Sequence, residues 1–471
     1  MLHFKIYSDI IYILNINLQT LGGDVFMENT FKIGAASEII TPSLGTLLFG
    51  YTATRPASRI HDDLRTGVIV AEQGDMRGAL ICADICNAPI ETVEEIRRGI
   101  YEKTGIPEEN ITFATTHTHS GPAIHGMGAW GDSNNEYVSG VLIPKTVKAA
   151  VSAFNNMRPA VMGIGTTESE VGVNRRQFDE DGNIILGQNP FGVFDKMMTV
   201  MSFKGIDGEA IVNLIHYNSH GTSAGRATAI TRDWMGPMVD RLEAETGAVS
   251  IFFNGAIGDS GPRLSNGRTV GDKDESVENE VPDENLSYME ELGALAAIDC
   301  VRAYRNIREY REVKFDMIKG AISLPYKKPL SLEQAKAQLE NPRQTVDHEG
   351  VRSIYKKCLE DTVKMHESGE EFKTHEDISQ VLYTFNNAVL VPFPFEMFSE
   401  IQLRLKQYSP FEHTLCISNA NGLFAYLPTE SQICMGGYEV DTFLYHGGVY
   451  SFVNNTDDII VSENLRLMKK R

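Results

Sequence analysis

What the chain lacks narrows its class before any motif is read. Its 471 residues hold six cysteines, at 82, 86, 300, 358, 416 and 434, with no C-x-x-C pair and no zinc-ribbon spacing. That pattern argues against a closed cysteine metal site and fits free thiols in a reducing, cytoplasmic setting. Basic residues are outnumbered: 43 Lys and Arg stand against 63 Asp and Glu, a formal net charge of −20, and they form no clustered run. Nucleic acid and anionic membrane surfaces are disfavoured as partners, because both are recognised through clustered positive charge. No transmembrane segment is expected, since a spanning helix takes about 20 apolar residues. The apolar run Ile10–Leu14 is far shorter, is flanked by Asp9, Asn15 and Asn17, and precedes no small-x-small cleavage site. Residues 1–26 therefore read as an upstream extension, and the globular pattern begins at Met27. Neither a P-loop nor a G-x-G-x-x-G spacing is present.

What is present is an ordinary globular balance, 42% hydrophobic and 23% charged, enough for a large core. Two β-rich runs, TGVIVAEQ and RGALICADI, are split by Gly74-Asp75 and predict a hairpin. ETVEEIRRGIYEKTG carries Val93, Ile96 and Ile100 at helical spacing and stops at Gly105 before Pro107. A strand over NITFATT follows, then a helix over about 135–156, strands over AVMGIG, KMMTVMSF and EAIVNLIHY, a helix over MVDRLEAETG and a strand over VSIFFNG. Hairpins and β-α-β steps together predict a mixed α/β (α+β) fold, with mixed β-sheets covered by helices. Residues 264–285 are acidic and turn-rich and read as a surface excursion, while 330–376 reads as two charged amphipathic helices split near Asn341-Pro342. Strands over SQVLYTFN, AVLVPF and HTLCIS and a helix over about 396–408 complete the pattern. One large domain over 27–471, with a helical insertion at about 330–376, is expected.

Five places carry polar residues suited to chemistry. In Thr116-His117-Thr118-His119-Ser120, directly after a β-run, an extended chain would put His117 and His119 on one face, as an H-x-H metal donor pair requires; two solvated histidines are the plainer alternative. In Asn213–Ser223, His216 lies inside the apolar stretch and reads as core, whereas His220, at the transition to small polar residues, is the better ligand candidate. Glu396 follows Val391-Pro-Phe-Pro-Phe, where it either faces a site or merely favours a helix dipole. Tyr426 reads equally as core. The glycine-rich loop Gly258-Asp259-Ser260-Gly261 holds an acid and a hydroxyl. Its likeness to the chymotrypsin nucleophile loop is set aside because the chain alternates helices and strands.

In order, these segments resemble the catalytic domain of the neutral/alkaline, non-lysosomal ceramidase family, over about Phe31 to Glu439. The resemblance rests on FKIGAASEIITPS, Gly50-Tyr51, RTGVIVAEQ, LICADI, THTHSGP, VNRRQ, NSHGTS, GAIGDSGP, VPFPFE and YLPTESQICMGGYE. It implies one zinc ion held by His117, His220, Glu396 and Tyr426, with His119, Arg175 and Tyr438 near the substrate carbonyl and Gly50 lining the substrate site. It also implies a lipid or small-molecule amide substrate, cleaved by a zinc-dependent hydrolase. Two departures stand out. Where the family reads Gly-Asp-Val-Ser-Pro-Asn, this chain reads Gly258-Asp259-Ser260-Gly261-Pro262-Arg263, so Gly261 occupies the family's serine position. Asp259 and Ser260 stay catalytic candidates, but a one-residue shift in extended chain turns a side chain to the other face, so attack by water is expected. The family's C-terminal immunoglobulin-like domain is not expected here. The alternatives are hydrolysis of another ester, lactone or small amide, a non-catalytic binder, and a two-metal phosphate-ester hydrolase using Asp84 and Asp259.

Overall fold

The computed structural model describes residues 30–51, 55–124, 133–265, 285–342, 349–445 and 451–470. The predicted extension over 1–26 and residues 266–284 of the predicted acidic excursion lie outside them.

The main sheet starts at β1 (Lys32–Ile39) and continues through the predicted hairpin, β2 (Arg65–Gln73) and β3 (Met76–Ala83). Gly74 turns it at φ 59°, a conformation glycine adopts without steric cost. Helix α1 (Ile90–Thr104) ends as its sequence predicts: Gly105 takes φ 70° and its N–H bonds the Tyr101 carbonyl. β4 (Ile111–Thr115) and α2 (Ile143–Asn155) follow, the latter entered through a π-helical turn at Val138–Leu142. Next come β5 (Arg158–Glu168), β6 (Gly172–Phe178), β7 (Met197–Gly205) and β8 (Ala210–Tyr217). Helix α3 (Met235–Thr246), β9 (Val249–Asn254), β10 (Ser260–Pro262) and α4 (Ser287–Arg305) close this half.

The spatial order is β9-β8-β7-β5-β1-β2-β3-β4, and the two-residue strand Arg311–Glu312 beside β5 makes nine. Pairing is antiparallel through the middle and parallel at both ends, β3 with β4 and β8 with β9. Each parallel pair needs a crossover, supplied by α1 and α3. The expected mixed sheet covered by helices is what the chain forms.

A second sheet is built from β11 (Phe315–Pro325), β12 (His375–Phe385), β13 (Ala388–Pro392) and β15 (His413–Ile417), in that order. Between β11 and β12 run α5 (Leu332–Glu340), opened by a Ser331–Gln334 capping box, and α6 (Glu349–Ser368). Short β14 (Phe395–Met397) leads into α7 (Ser399–Tyr408), and β16 (Ala425–Leu427) leads towards α8 (Tyr438–Tyr445) and the last helix, α9 (Thr456–Met468). Among the described residues no helix is long and apolar enough to cross a membrane.

Strand residues alternate between two cores. Val68, Val70, Ile81 and Ala83 join Val93, Ile96 and Ile100 of α1, while Ile69, Ala71, Leu80 and Cys82 join an inner core with Phe203, Ile251 and Phe253. For that to happen the sheet folds over on itself. Edge strand β9 crosses β2 so closely that a Cβ on Gly67 would lie 2.7 Å from the Ile251 side chain. The second sheet closes the same core, and the Tyr383 hydroxyl donates to the Asn110 carbonyl at 2.8 Å. The folding brings the chain leaving β4 alongside the chain leaving β8 and β9, and this places the site.

His216 sits inside that core, as its apolar context predicts, and its Nε2–H donates to the Cys416 carbonyl at 2.7 Å. Burial, aided by Lys406, presses its pKa down to about 4. Unfolded histidine titrates near 6.5, so between about pH 6.5 and 4 the unfolded chain binds the extra proton. Stability is therefore expected to fall with pH across that window, by about 2 kcal/mol at pH 5 from this group. Urea unfolding at pH 7.5 and pH 5 checks this: the gap in unfolding free energy shrinks by about that amount in His216→Gln, and an unchanged gap refutes it.

Candidate metal centre

Two histidines reach the site along different routes. Beyond β4, His117 takes φ 62°, rare outside glycine and asparagine and frequent at functional sites. The expectation of an extended chain from His117 to His119 is therefore corrected: strand alternation does not govern there, and the left-handed residue re-aims the side chain. The imidazoles still meet, with their Nε2 atoms 3.2 Å apart. Cross-links between distant segments hold the loop: the His119 N–H donates to the Gly221 carbonyl at 3.0 Å, and Asn254 donates to the Thr116 carbonyl at 3.0 Å. His220 is buried, and its carbonyl accepts from the Trp234 indole at 2.9 Å. Glu396 lies in β14, three residues before α7 begins, so the helix-dipole alternative falls away. β14 pairs in parallel with β16, which makes Glu396 and Tyr426 direct register partners.

The donor atoms converge with no proton between them. His117 Nδ1 lies 2.7 Å from the Cys86 carbonyl and His220 Nδ1 lies 2.9 Å from the Ser260 carbonyl. Each Nδ1–H donates there, which leaves a lone pair on Nε2. The Asn419 side-chain amide, 2.8 Å from His117 Nδ1, packs the same edge of the ring. Burial holds His117 below its ordinary pKa and, with Arg175 nearby, takes His220 to about 3. Burial opposes ionisation of Glu396, but positive charge facing it, from either imidazole whenever it is protonated and from Arg175, outweighs burial and holds the carboxyl below the usual range. Glu396 Oε2 is 3.0 Å from His220 Nε2 and 3.5 Å from His117 Nε2, yet it is buried without a hydrogen bond of acceptable geometry. With both rings neutral these contacts are not ion pairs. A carboxylate oxygen and two nitrogen lone pairs, mutually within 4.8 Å, form a donor set that a cation satisfies.

Around this triad stand the other predicted residues. Tyr426 Oη is 3.5 Å from His220 Nε2 and accepts from Arg175 Nη2 at 3.0 Å. The Tyr438 ring lies 5.6 Å from that of Tyr426, and both line the same cavity. Among the described residues the buried Nδ1 of His119 has no hydrogen-bond partner, and burial, with His117 and His220 beside it, pushes its pKa well down. Gly50 forms the wall at φ 114°, and a Cβ there would sit 2.4 Å from His119 Cγ.

Two loop residues play other parts. Asp259 accepts from the Ser399 backbone N–H and hydroxyl, both at 2.8 Å, and so tethers the start of α7; burial raises its pKa to about 6. The Ser260 hydroxyl donates to the Ala256 carbonyl at 3.1 Å, and the residue meets the centre through its own carbonyl. Gly261 pairs with Val173 one step along β10, and a Cβ added there would lie 3.7 Å from Arg175 Cδ. Asp84 accepts from the Arg65 N–H at 2.8 Å and lines a different cavity with Arg232. Among the described residues, the three-donor groups are Cys86-His117-His119 and His117-His220-Glu396, and neither includes Asp84 or Asp259.

Sequence reading missed Glu439. It is buried, accepts from Arg175 Nε at 2.8 Å and Arg176 Nη1 at 2.7 Å, and orients the guanidinium that reaches Tyr426. The available signal was the Arg175-Arg176 pair inside a strand, since buried cations demand a carboxylate partner.

No family model matches the chain. Neutral ceramidases A and B of Dictyostelium discoideum are 25% and 27% identical to it over 214 residues, 42% of this chain and 29% of each relative. Neutral ceramidase 3 of Arabidopsis thaliana is 29% identical over 168 residues, 32% of this chain and 22% of the relative. The chain thus spans less than a third of the length of these curated relatives. Among solved structures, neutral ceramidase from Pseudomonas aeruginosa superimposes with TM-score 0.69 at 15% identity, covering 94% of this chain and 75% of that one. A ceramidase complexed with C2 gives TM-score 0.67 at 16% identity, over 93% and 75% of the respective chains. The fold is therefore shared over nearly all of this chain and three quarters of each neighbour.

A cation held by this donor set would stabilise the folded protein. A ligand present at about 1,000 times its Kd contributes about 4 kcal/mol, so chelation lowers Tm, and Glu396→Gln abolishes that response. Equal Tm with and without chelator, in protein purified with its metal, refutes a metal centre here. Glu439→Gln leaves two buried guanidinium groups short of charge, and a loss of about 3 kcal/mol in denaturant unfolding is expected.

Proposed function

We propose, from its likeness to neutral ceramidases, that the chain is a zinc-dependent hydrolase of an N-acyl amide bond, with water as the attacking group. The observation that carries this reading is the Glu396 carboxylate, buried against two imidazole lone pairs in a cavity that also holds Tyr426 and Tyr438. His117, His220 and Glu396 would hold the ion, with the Tyr426 phenol as fourth donor. Two nitrogens, a carboxylate and a phenol suit zinc and leave room for water, as catalytic rather than structural sites do. Zinc in such a site supplies Lewis acidity, which polarises a carbonyl and brings the pKa of water to about 7.

The chain's own groups supply the rest. The Cys86 and Ser260 carbonyls fix both histidine tautomers so that Nε2 stays free of a proton. Arg175, held by Glu439, presents a fixed positive charge beside Tyr426, where negative charge develops on the carbonyl oxygen. His119 and Tyr438 add an imidazole N–H and a phenol O–H to the same pocket. The Ser260 hydroxyl is committed to the Ala256 carbonyl and Gly261 has no hydroxyl, which supports water over serine as the nucleophile.

Metal analysis and a hydrolysis panel of N-acyl amides, esters and lactones test this reading. One equivalent of zinc per chain is expected. His117→Ala is expected to lose the metal and at least about 100-fold in rate. Ser260→Ala is expected to keep a measurable rate with zinc bound. An inactive Ser260→Ala that retains zinc overturns water attack, and a chain that binds no zinc overturns the whole reading.

A further inference from the structure

The segments that carry His117, His220 and Glu396 are all tied, directly or through one neighbour, to a residue that is not itself a donor. Asn254 ends β9 and is fully buried, with Tyr217 of β8 as its register partner. Its side-chain N–H donates to the carbonyl of Thr116, the residue before His117, at 3.0 Å. Its side-chain oxygen accepts from the N–H of Ser219, the residue before His220, at 3.3 Å. Its backbone carbonyl accepts from the Ser418 N–H at 3.0 Å. The next residue, Asn419, packs against His117 Nδ1, and its own N–H donates at 3.2 Å to the carbonyl of Phe395, the residue before Glu396.

A primary amide carries both a donor and an acceptor. This one meets a carbonyl that can only accept and a backbone N–H that can only donate, so its orientation is fixed. A second clamp, from the His119 N–H to the Gly221 carbonyl at 3.0 Å, joins the same two loops just beyond the donors. The two clamps therefore bracket both imidazoles. His117 needs such a grip, because a non-glycine residue at φ 62° persists only where its surroundings over-determine it.

Resting on the metal-centre reading above, we infer that Asn254 is a positioning residue for the zinc site, which sets the spacing of His117, His220 and Glu396 through their backbone before any ion arrives. An ion then meets a prepared donor set, and the cost of ordering the loops is not subtracted from its affinity.

Three measurements are compared in Asn254→Ala, Asn254→Asp and the control Asn213→Ala: zinc affinity by competition with a chromophoric chelator, the visible spectrum of the cobalt-substituted protein, and urea unfolding. Asn213 is a buried amide on β8 that bonds Thr246 and Ser250 instead. Asp at 254 keeps the acceptor for Ser219 and turns an oxygen towards the Thr116 carbonyl. Both Asn254 variants are expected to bind zinc at least about tenfold more weakly, with an altered cobalt spectrum. Asn213→Ala is expected to lose stability and keep both. An Asn254 variant that loses stability but keeps zinc affinity and the cobalt spectrum overturns the inference, as does an equal loss of affinity in Asn213→Ala. Hydrogen exchange on the unaltered protein decides the matter without a variant. The Ser219 and Ser418 amides are expected to be as protected in the metal-free protein as in the zinc-loaded one, and protection that arises only with zinc overturns the inference. A chain that binds no zinc yet protects both amides overturns the metal reading and leaves Asn254 as the residue that spaces the three side chains.

Discussion

A single buried carboxylate organises this protein. Glu396 Oε2 faces the unprotonated nitrogens of His117 and His220 with no well-placed donor to satisfy it. Leaving a charge so placed costs several kcal/mol unless an opposite charge repays it. Everything nearby prevents escape from that arrangement. Backbone carbonyls claim both Nδ1–H groups, β16 clamps β14, and Arg175 approaches from the Tyr426 side. Two imidazole lone pairs and a carboxylate so placed form a donor set that a cation would satisfy.

The charge balance extends outward in layers. Arg175 touches the phenol of Tyr426, Glu439 holds Arg175, and Arg176 completes the pairing on the far side. Because Glu439 is the second residue of α8, directly after Tyr438, the same ion pairs that orient the guanidinium also dock the helix carrying two pocket residues. Asp259 does comparable work for α7 through Ser399. Asp259, whose chemistry looks catalytic in the sequence, thus serves as a strut, and it and Glu439 together fix where two walls of the cavity stand.

Much of the fold was legible because its signals are local. Gly74-Asp75 marks a hairpin, Gly105 before Pro107 marks a helix end, and runs such as VSIFFN mark strands, each through backbone preferences acting within a few residues. His216 and His220 were separable for the same reason, one inside an apolar run and one at its end. Where the reading failed, the cause lay beyond local range. The φ of His117 depends on the Cys86 and Gly221 segments that grip its loop, and the strand position of Glu396 depends on its pairing with Tyr426. Glu439 escaped notice because nothing beside it in the chain reveals two arginines more than 260 positions away.

The amino-acid sequence by itself determined the mixed α/β architecture, the order of elements and the identity of the residues with metal-binding chemistry, since periodicity, turn residues and donor types are written into short stretches. Only the tertiary structure decided that the sheet folds over on itself, that three distant segments bring their donors to one point, and that Ser260 turns its hydroxyl away. Those outcomes depend on which surfaces pack together, and packing is a property of the whole core, which no window of sequence contains.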